Sequence, residues 1–583
     1  MLKSINELLK TLIKAIGNEP IHQIFGNLIR KIFGLEPRLA SNSVHNVQTK
    51  GHIEEQKKIY NEYLRQRKKI LTEKKLKPNY FKKISVILIA HSSFEVLNIS
   101  YQSLLKQRVQ PNQILIVCSR KQTIPEGVQS YDKIDQAISQ IRSEFICFAH
   151  SDHRFQPNFI QEFILQVENE DMDLIYCCYD YYLKGVHKNP QWLPQLNQHL
   201  LYSSNYIGNT ILVKRKFGEK LDWFAIERYP LEYIYDFIIR AIDVKAKIFR
   251  VPDILYSILS TKGKGSIEER KAILQTHLQR NNWQGKVIEG QVPNTLRIKW
   301  VMDSSPIVSI IIPFRDKVSL LKNCIESILH KTDYANYEII LADNRSQEIE
   351  TASYIHKLLK DQNHVAYVKV DMNFNYSSIN NYAVTKCNGD YLLFLNNDTK
   401  ILQSSWLSEM LMELQAPEVG VVGAKLLYAD ETVQHAGVLY GVGHVAGHAF
   451  RYLPDNYTGH MDRASIVQEY TAITGACLLT KRSIFDMVNG FDAVNLGIAY
   501  NDVDLCLRIK RIGFKSIYTP FAKLYHFESK SRASDLSKKE NERYKKECIY
   551  MKKMWDSEID NDIFYHPHVD HNYEDFRLAK HGR

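Results

Sequence analysis

The sequence contains no apolar run long enough to cross a lipid bilayer. A membrane-spanning helix needs about 20 consecutive apolar residues, whereas the longest runs here, such as 84–90 and 308–314, have the length of buried strands. The first sixteen residues alternate lysine with leucine and never form the compact apolar block of a signal peptide. We therefore expect a cytoplasmic protein.

The nine cysteines include no Cys-x-x-Cys pair and no Cys/His spacing typical of zinc. Cys477 and Cys506 lie inside apolar stretches. Such cysteines are typical of buried, reduced thiols. A disulfide framework and a structural zinc site are therefore not expected.

Net positive charge is scarce outside the first eighty residues. Those residues hold sixteen Lys and Arg against seven Asp and Glu, so +9 of the net charge of +11 lies there. An enzyme that binds nucleic acid usually carries basic charge around its working groove. We therefore expect no nucleic-acid partner.

Residues 1–80 are predicted to form a basic helical leader. Apolar residues recur at helical spacing over 2–16 and again over 21–33. Two interpretations remain open for residues 1–33. They form either an anchor on an anionic membrane surface, at the inner face of the plasma membrane, or a helical lid packed on the main body or on a partner. Residues 54–77 are predicted to be a charged, mostly solvated helix.

The remainder of the sequence repeats one order of strands and helices. Strands near 85 and 113–118 have counterparts at 309–314 and 338–343, and each copy then reaches a strand with a polar end, at Asp152 and at Asp398. This alternation predicts an α/β fold with a mostly parallel sheet covered by helices. Ligands of such sheets bind beyond the carboxyl ends of the strands.

The predicted organisation follows from this repeat. The ranges are the leader at 1–80, a first α/β domain at 84–260, a helix and connector at 261–305, a second α/β domain at 306–532 and a C-terminal helix and tail at 533–583. The tail contains His566, His568 and His571, which could be a metal cluster, but the surrounding Pro and Asp residues favour a surface tail.

Seven motifs occur in order over more than two hundred residues of the second domain. They are SIIIPFRD at 309–316, NFNYSSINN at 373–381, LNNDT at 395–399, VQHAGV at 433–438, TGACLL at 474–479, NDVDLCLR at 501–508 and LYHFES at 524–529. In this order they resemble glycosyltransferase family 2, particularly the bacterial enzymes that build O-antigen, capsule and related surface polysaccharides. The resemblance implies two tandem GT-A-like, Rossmann-like domains.

The resemblance also implies a divalent metal, Mn²⁺ or Mg²⁺, that neutralises the diphosphate of a nucleotide-sugar donor. Asp398 matches the metal-binding carboxylate of the family's Asp-x-Asp motif, and Asn396 replaces the first Asp. His526 resembles the late histidine that completes the metal site.

Asp502 matches the family's catalytic base, which takes a proton from the acceptor hydroxyl in a single displacement that inverts configuration. Asn501 stands where the family usually has Glu. Asp504 and Arg508 are one helical turn apart and are predicted to form a structural pair.

The other implied site residues fall into two groups. Those expected to bind the nucleotide sugar are Pro313, Phe314, Asp316, Asp343, Asn373, Asn375, Asn396 and Asn397. Those expected near the acceptor or a phosphate are His435, Glu528 and Arg532. The alternative for His435, with His444 and His448, is a set of loop residues, and for Glu528 and Arg532 a solvated surface charge.

The first domain lacks most of these residues. The matching positions are Cys118 for Asp343, Ile89 for Pro313, Ile234 for Asp502 and Ser257 for His526, whereas Asp152 remains. Isoleucine cannot accept a proton and serine is a poor substitute ligand. We expect this domain to transfer no sugar and to hold the acceptor glycan or brace the active domain. The alternative is a second, metal-independent transferase that acts through Asp152 and Glu232.

The implied activity is transfer from a UDP-, dTDP- or GDP-sugar to a glycan or lipid-linked oligosaccharide in cell-surface polysaccharide synthesis. The main alternative is a non-catalytic scaffold or glycan-binding subunit of an assembly complex, against which the intact set of candidate residues argues. A nucleotidyltransferase would need a glycine-rich, lysine-containing phosphate loop near the first strand, and 309–322 contains no glycine.

Overall fold

The computed structural model describes residues 50–73, 83–118, 122–169, 171–224, 228–260, 265–443, 445–527, 538–559 and 562–580. Residues 1–33 lie outside these ranges, and so do His444, Glu528 and Arg532. Within the described ranges, no helix combines the length and the apolar character needed to cross a membrane.

The first α/β domain is built on a nine-stranded sheet. Its strands are β1 (Ile84–Ile89), β2 (Ile114–Val117), β3 (Ser130–Tyr131), β4 (Phe145–His150), β5 (His153–Phe155), β6 (Leu174–Leu183), β7 (Val186–Gln191), β8 (Ile211–Lys214) and β9 (Ile248–Ile258). The helices are Phe94–Leu105, Ile134–Ser139, Phe159–Asn169, Gln198–Ser203, Arg215–Leu221 and Tyr233–Asp243. Strands β1 and β4 are buried along their whole length. Both therefore read as continuous apolar runs, as expected of strands that are covered on both faces.

A connector joins the two domains. It consists of the helix Ile267–Arg280 and an antiparallel hairpin of β10 (Gly285–Glu289) and β11 (Leu296–Trp300). Ser266 caps the helix, because its side chain accepts the N–H of Glu269. This bond satisfies one backbone donor in the first turn of the helix.

The second domain is built on a ten-stranded sheet. Its strands, with one separate hairpin (β19–β20), are β12 (Val308–Phe314), β13 (Tyr337–Asp343), β14 (Val365–Lys369), β15 (Tyr391–Leu395), β16 (Thr399–Ile401), β17 (Val419–Leu427), β18 (Val433–His435), β19 (Val438–Tyr440), β20 (Ala446–His448), β21 (Gln468–Tyr470), β22 (Cys477–Lys481) and β23 (Lys515–His526). The helices are Val318–Lys331, Ile349–Asp361, Tyr376–Val384, Trp406–Glu413, Arg482–Met487 and Asn501–Arg511, with a 3-10 turn at His460–Asp462.

The two sheets have the same strand order. The first runs β3-β2-β1-β4-β8-β6-β9-β5, and the second runs β14-β13-β12-β15-β22-β17-β23-β16. In each, four parallel strands are followed by a region that mixes antiparallel and parallel pairs. The predicted fold class, two tandem α/β domains of the same type, is confirmed.

Side-chain and backbone contacts repeat as well. The Arg240 guanidinium donates to Asp236 at 2.8 Å in the first domain, and that of Arg508 donates to Asp504 at 2.7 Å in the second. These pairs fix the correspondence between the two helices that carry them. Ile234 therefore lies at the position of Asp502, as the sequence predicts.

The strand register corrects one predicted correspondence. The N–H of Leu259 donates to the carbonyl of Asp152, as the N–H of Phe527 donates to that of Asp398. His526 thus corresponds to Ile258, and the sequence-based match to Ser257 was wrong by one residue. The pairs β6–β9 and β17–β23 carry irregularities at different points, and matching the Leu-Tyr dipeptides alone cannot detect them.

The C-terminal part comprises the helix Lys538–Ile559 and a tail that packs across both domains. His566 Nε2 lies 3.3 Å from Cys178 Sγ in the first domain, and Asp562 accepts the hydroxyl of Thr471 in the second at 2.6 Å. The prediction of a surface tail is wrong for His566, which is only 1% exposed because it packs beside Trp192.

The helix predicted over 54–77 is present as Lys50–Glu73. It is not merely a solvated helix, because Tyr60 is buried and its hydroxyl donates to Asp180 at 2.6 Å. This contact fastens the helix to β6 of the first domain.

Candidate active site

Asp398 and His526 are in contact at one edge of the second sheet. Asp398 follows β15 in the turn that also contains Asn396 and Asn397, and His526 ends β23. Strand β16, which begins just after Asp398, pairs antiparallel with β23. The pairing brings Asp398 Oδ1 to 3.2 Å from His526 Nε2, and both side chains are less than a tenth exposed.

Two amides hold the imidazole of His526. Asn396 Nδ2 lies 3.2 Å from His526 Nε2, and Gln434 Nε2 lies 2.7 Å from His526 Nδ1. Gln434 is itself buried on β18. Both ring nitrogens of His526 therefore lie within hydrogen-bonding distance of a side-chain amide.

The Asp398–His526 pair is suited to a divalent cation. Two ligand atoms that each lie about 2.1 Å from an ion, with a right angle between them, are about 3 Å apart. The distance between Asp398 Oδ1 and His526 Nε2 is 3.2 Å, which is close to this value. The described residues include no group of three or more His, Cys, Asp or Glu side chains that could hold a metal. Further ligands would have to be water and diphosphate oxygens, which are usual for Mg²⁺.

Asp502 lies in the first turn of the helix Asn501–Arg511 and is partly exposed. Its Oδ2 accepts the N–H of Gly475 at 2.7 Å. A Cβ at Gly475 would lie 3.3 Å from the Tyr376 hydroxyl and 3.4 Å from Asp502 Cβ. A side chain at position 475 would therefore lie directly beside the Asp502 carboxylate.

The segment Gly475–Ala476 connects Asp502 to the Asp398 turn. The carbonyl of Ala476 accepts the N–H of Asn396 at 3.1 Å, while Gly475 donates to Asp502. The strand end that carries Asp398 and the helix that carries Asp502 are therefore bonded to adjacent residues of one loop.

Asp504 forms the structural pair that the sequence predicts. Its two oxygens accept from Arg508 at 2.7 Å and from the Trp555 indole at 3.0 Å. Burial raises the pKa of Asp504, and the Arg508 guanidinium opposes this effect. Both oxygens of Asp504 are thus bonded to side chains inside the protein, whereas Asp502, whose Oδ1 accepts the N–H of Val503 at 2.8 Å, is partly exposed.

Asp343 and Asp316 fasten the loops that follow β13 and β12. Asp343 accepts the N–H of Ser346 and the Tyr367 hydroxyl, each at 2.8 Å. Burial, together with the hydrogen bond to the Asp343 carboxylate, raises the pKa of Tyr367 to about 12. Asp316 Oδ1 accepts the backbone N–H groups at positions 347 and 348, just before the helix Ile349–Asp361. Both carboxylates thus stabilise turns, and their predicted contact with a nucleotide stays a prediction.

Asn373 and Asn375 make local contacts in the described structure. Asn375 caps the helix Tyr376–Val384 by accepting the N–H of Ser378 at 2.8 Å. Asn373 accepts from Arg345 at 3.2 Å. Phe314 pairs with Asp343 across β12 and β13 and is buried, whereas Pro313, the preceding residue, is partly exposed.

His435 lies inside the domain, behind the site. It is fully buried, and burial holds its pKa well below the usual histidine value, with further lowering from His448 and His526. Side chains alternate along a strand, and the residue of β18 that contacts His526 is its neighbour Gln434. Sequence reasoning singled out the histidine of this pair and missed the glutamine.

Together these contacts define an α/β enzyme domain with its polar site beyond the carboxyl ends of the parallel strands. Residues 309–486 match the family described as Glycosyl transferase family 2. The matched segment lies within the second domain and confirms the resemblance that the motifs predict. Asp502 and His526 lie beyond the matched range.

Two curated relatives span more than two thirds of this chain. The chain is 33% identical over 463 residues to the uncharacterized protein y4gI of Sinorhizobium fredii (strain NBRC 101917 / NGR234), covering 76% of this chain and 50% of that protein. It is 29% identical over 413 residues to the O-antigen biosynthesis protein RfbC of Myxococcus xanthus, covering 69% and 32%. The chain thus spans about half the length of the first relative and about a third of the second.

Solved structures of glycosyltransferases are similar only at a distance. The mannosyltransferase PcManGT from Pyrobaculum calidifontis, in complex with GDP-Man and Mn²⁺, has 15% identity and a TM-score of 0.30, over 40% of this chain and 59% of that chain. GalNAc-T7 with UDP, GalNAc and Mn²⁺ has 13% identity and a TM-score of 0.36, over 44% and 50%. TM-scores this low do not support a residue-by-residue comparison of the sites.

Proposed function

We propose that this chain transfers a sugar from a nucleotide-sugar donor to a hydroxyl of a glycan or lipid-linked acceptor during synthesis of a surface polysaccharide. The observation that carries the proposal is the bonding of Asp502 and of the Asp398 turn to the same loop, Gly475–Ala476. The family 2 match and the relationship to an O-antigen biosynthesis protein support it.

Asp502 acts as the general base in this proposal. It removes the proton of the acceptor hydroxyl while that oxygen bonds to the anomeric carbon, and the bond from that carbon to the diphosphate breaks. A single displacement of this kind inverts the configuration. The Gly475 N–H holds one carboxylate oxygen, so the group is oriented before the acceptor arrives, which favours proton transfer.

Asp398 and His526 would hold the divalent cation, Mn²⁺ or Mg²⁺. Such an ion, when bound, stabilises the charge that develops on the leaving diphosphate. The Gln434 side chain, 2.7 Å from Nδ1, would orient the imidazole so that Nε2 faces Asp398 and the ion. Outer contacts of this kind commonly set the affinity of a metal site.

We propose further that the first domain transfers no sugar. At the positions of Asp343, Asp502 and His526 it carries Cys118, Ile234 and Ile258, none of which can supply the carboxylate or imidazole that the second domain uses. Its candidate base, Glu232, is only 3% exposed and lies 3.2 Å from the Arg270 guanidinium.

The connector also covers Glu232. The N–H of Ser266 donates to Glu232 Oε1 at 3.1 Å, and a Cβ at Gly265 would lie 2.5 Å from the same oxygen. An acceptor hydroxyl has no room to reach that oxygen. This crowding favours the inert first domain over a second transferase.

The contacts between the domains support a bracing role. Asn197 Nδ2 donates to the carbonyl of Glu469 at 2.9 Å, and the Ser203 hydroxyl donates to that of Val467 at 2.9 Å. Both acceptors belong to or adjoin β21, which pairs with β23, the strand that ends at His526. The first domain thus supports the strand that presents the proposed metal ligand.

The decisive experiment is a panel of UDP-, dTDP- and GDP-sugars incubated with the full chain and Mn²⁺, with and without a crude glycan acceptor. We expect release of nucleoside diphosphate from one donor class and loss of release when EDTA is added. No binding and no release with every donor would favour the non-catalytic scaffold instead.

A further inference from the structure

The helix Lys538–Ile559 lies against the loop 492–500 and the first turn of the helix that carries Asp502. The family 2 match ends at residue 486, so both the loop and this helix lie beyond it. Side chains of the helix bond to the segment 492–504 at several points. The contacts are Tyr550 to Asp492 at 2.9 Å, Glu547 to the N–H groups of Ile498 and Ala499 at 2.9 and 3.3 Å, Tyr544 to Tyr500 at 2.7 Å, and Trp555 to Asp504 at 3.0 Å.

Of these side chains, Glu547 is the one that bonds to the backbone of the loop. It is only 2% exposed, and its Oε1 and Oε2 accept the N–H groups of two consecutive residues, Ile498 and Ala499. Two acceptors on adjacent amides fix the orientation of the peptide between them. Arg543 Nε, one helical turn earlier, lies 3.5 Å from Glu547 Oε2.

The fixed peptide leads directly into the turn that begins the Asp502 helix. Tyr500 has φ 59° and ψ 10°, in the left-handed region. A residue other than glycine persists there only when its surroundings hold it. Glu547 holds the residues just before it, and the hydroxyl bond to Tyr544 holds its side chain.

We propose that Glu547 is a positioning residue for sugar transfer. By holding Ile498 and Ala499 it sets the left-handed turn at Tyr500 and thereby keeps the Asp502 carboxylate against the Gly475 N–H. The inference rests on the proposed function, since it assigns Asp502 the role of base. Glu547 acts through Asp502 and contacts neither the donor nor the acceptor.

The first test compares Glu547→Ala and Glu547→Gln with a matched control, Glu558→Ala. Glu558 lies on the same helix, and its carboxylate pairs with Arg511 at the surface, at 3.4 Å. The assay uses the donor identified by the nucleotide-sugar panel and measures kcat, donor Kd and melting temperature.

We expect Glu547→Ala to lower kcat by about 10- to 100-fold, because displacing a reacting group by about 1 Å can cost that much. The donor Kd stays within about threefold, since proton transfer plays no part in donor binding. Glu547→Gln keeps a carbonyl acceptor and recovers part of the loss, while Glu558→Ala behaves as wild type. An unchanged kcat in a folded Glu547→Ala protein overturns the proposal.

A double-mutant cycle distinguishes positioning from general destabilisation. When Asp502 is already Asn, we expect Glu547→Ala to lower the residual rate by less than about threefold, since groups that act as one unit are not additive. An equal loss in both backgrounds refutes action through Asp502. Tyr544→Phe, which removes one hydroxyl, serves if Glu547→Ala does not fold, and it should lower kcat with an unchanged donor Kd.

The role of Asp502 as base and the role of Glu547 can be tested separately. If Asp502→Asn alone leaves transfer intact, the proposed base is wrong, and the role of Glu547 is overturned with it. If Asp502→Asn abolishes transfer while Glu547→Ala does not affect it, only the role of Glu547 is overturned.

Discussion

The carboxylate of Asp398 lies 3.2 Å from the imidazole of His526, although Asp398 follows β15 and His526 is the last residue of β23. The first domain has the same backbone pairing at the corresponding strands, with Asp152 at the position of Asp398 and Ile258 at that of His526. The protein therefore contains its own internal control for the proposed metal site.

Asp398→Asn should abolish Mn²⁺-dependent release of nucleoside diphosphate, whereas Asp152→Asn should retain it. Loss of an outer contact of a metal site typically costs about 10- to 100-fold in affinity, and loss of a ligand should cost at least that. Isothermal titration with Mn²⁺ and UDP measures the affinity directly. Equal effects of the two substitutions would contradict the assignment of the site to the second domain.

Asp502→Asn should lower kcat by roughly 10²–10⁴-fold, the usual contribution of general base catalysis. The amide oxygen can still accept the Gly475 N–H, so the loop should keep its position. The donor Kd should therefore change little. Donor titration and transfer rates on the same preparation separate the two effects, and a parallel loss of donor binding would argue against a base.

Asp504→Ala should lower the free energy of unfolding of the second domain. We expect no direct effect on the chemical step, since Asp504 is assigned a structural role. Removing one partner of a buried ion pair costs about 3–5 kcal/mol, and the lower end applies here because Arg508 is partly exposed. Urea denaturation measures the free energy of unfolding. Asp236→Ala, which breaks the corresponding pair with Arg240, is the matched variant and should give a similar loss in the first domain.

Glu232 should make stability fall between about pH 4.5 and 7. Burial raises the pKa of this carboxyl to about 7, so in this window the folded protein binds a proton that the unfolded chain has released. The free energy of unfolding therefore decreases as pH rises through it, by up to about 3 kcal/mol, and levels off above pH 7. Glu232→Gln should lack this component, which pH-dependent denaturation of both proteins would reveal.

The fold was largely predictable, because the apolar pattern of the sequence indicates where most of the central strands lie and in which order. The central parallel strands β1, β4, β12 and β15 are buried along most or all of their length, so each appears in the sequence as an apolar run, and the order of runs repeats between the halves. Candidate residues such as Asp343 and Asp398 were predictable for the same reason, since strand ends meet at one edge of a sheet.

Other parts of the site could not be predicted from the residue types of the local sequence. Gly475 contributes its backbone N–H to Asp502, and Glu547 binds two backbone amides across the fold. A backbone donor leaves no trace in residue identity. The one-residue error at Ser257 has a similar origin, because bulges in paired strands change register without changing the apolar pattern.

The loop at Gly475–Ala476 sets a rule for recombining this enzyme with its relatives. A chimaera with a junction between 476 and 501 would take the turn around Asp398 and the helix of Asp502 from different parents. The Gly475 N–H and the Ala476 carbonyl, which bond to Asp502 and to Asn396, would then join a turn and a helix from two different proteins. Junctions outside 396–502 keep that arrangement within a single parent.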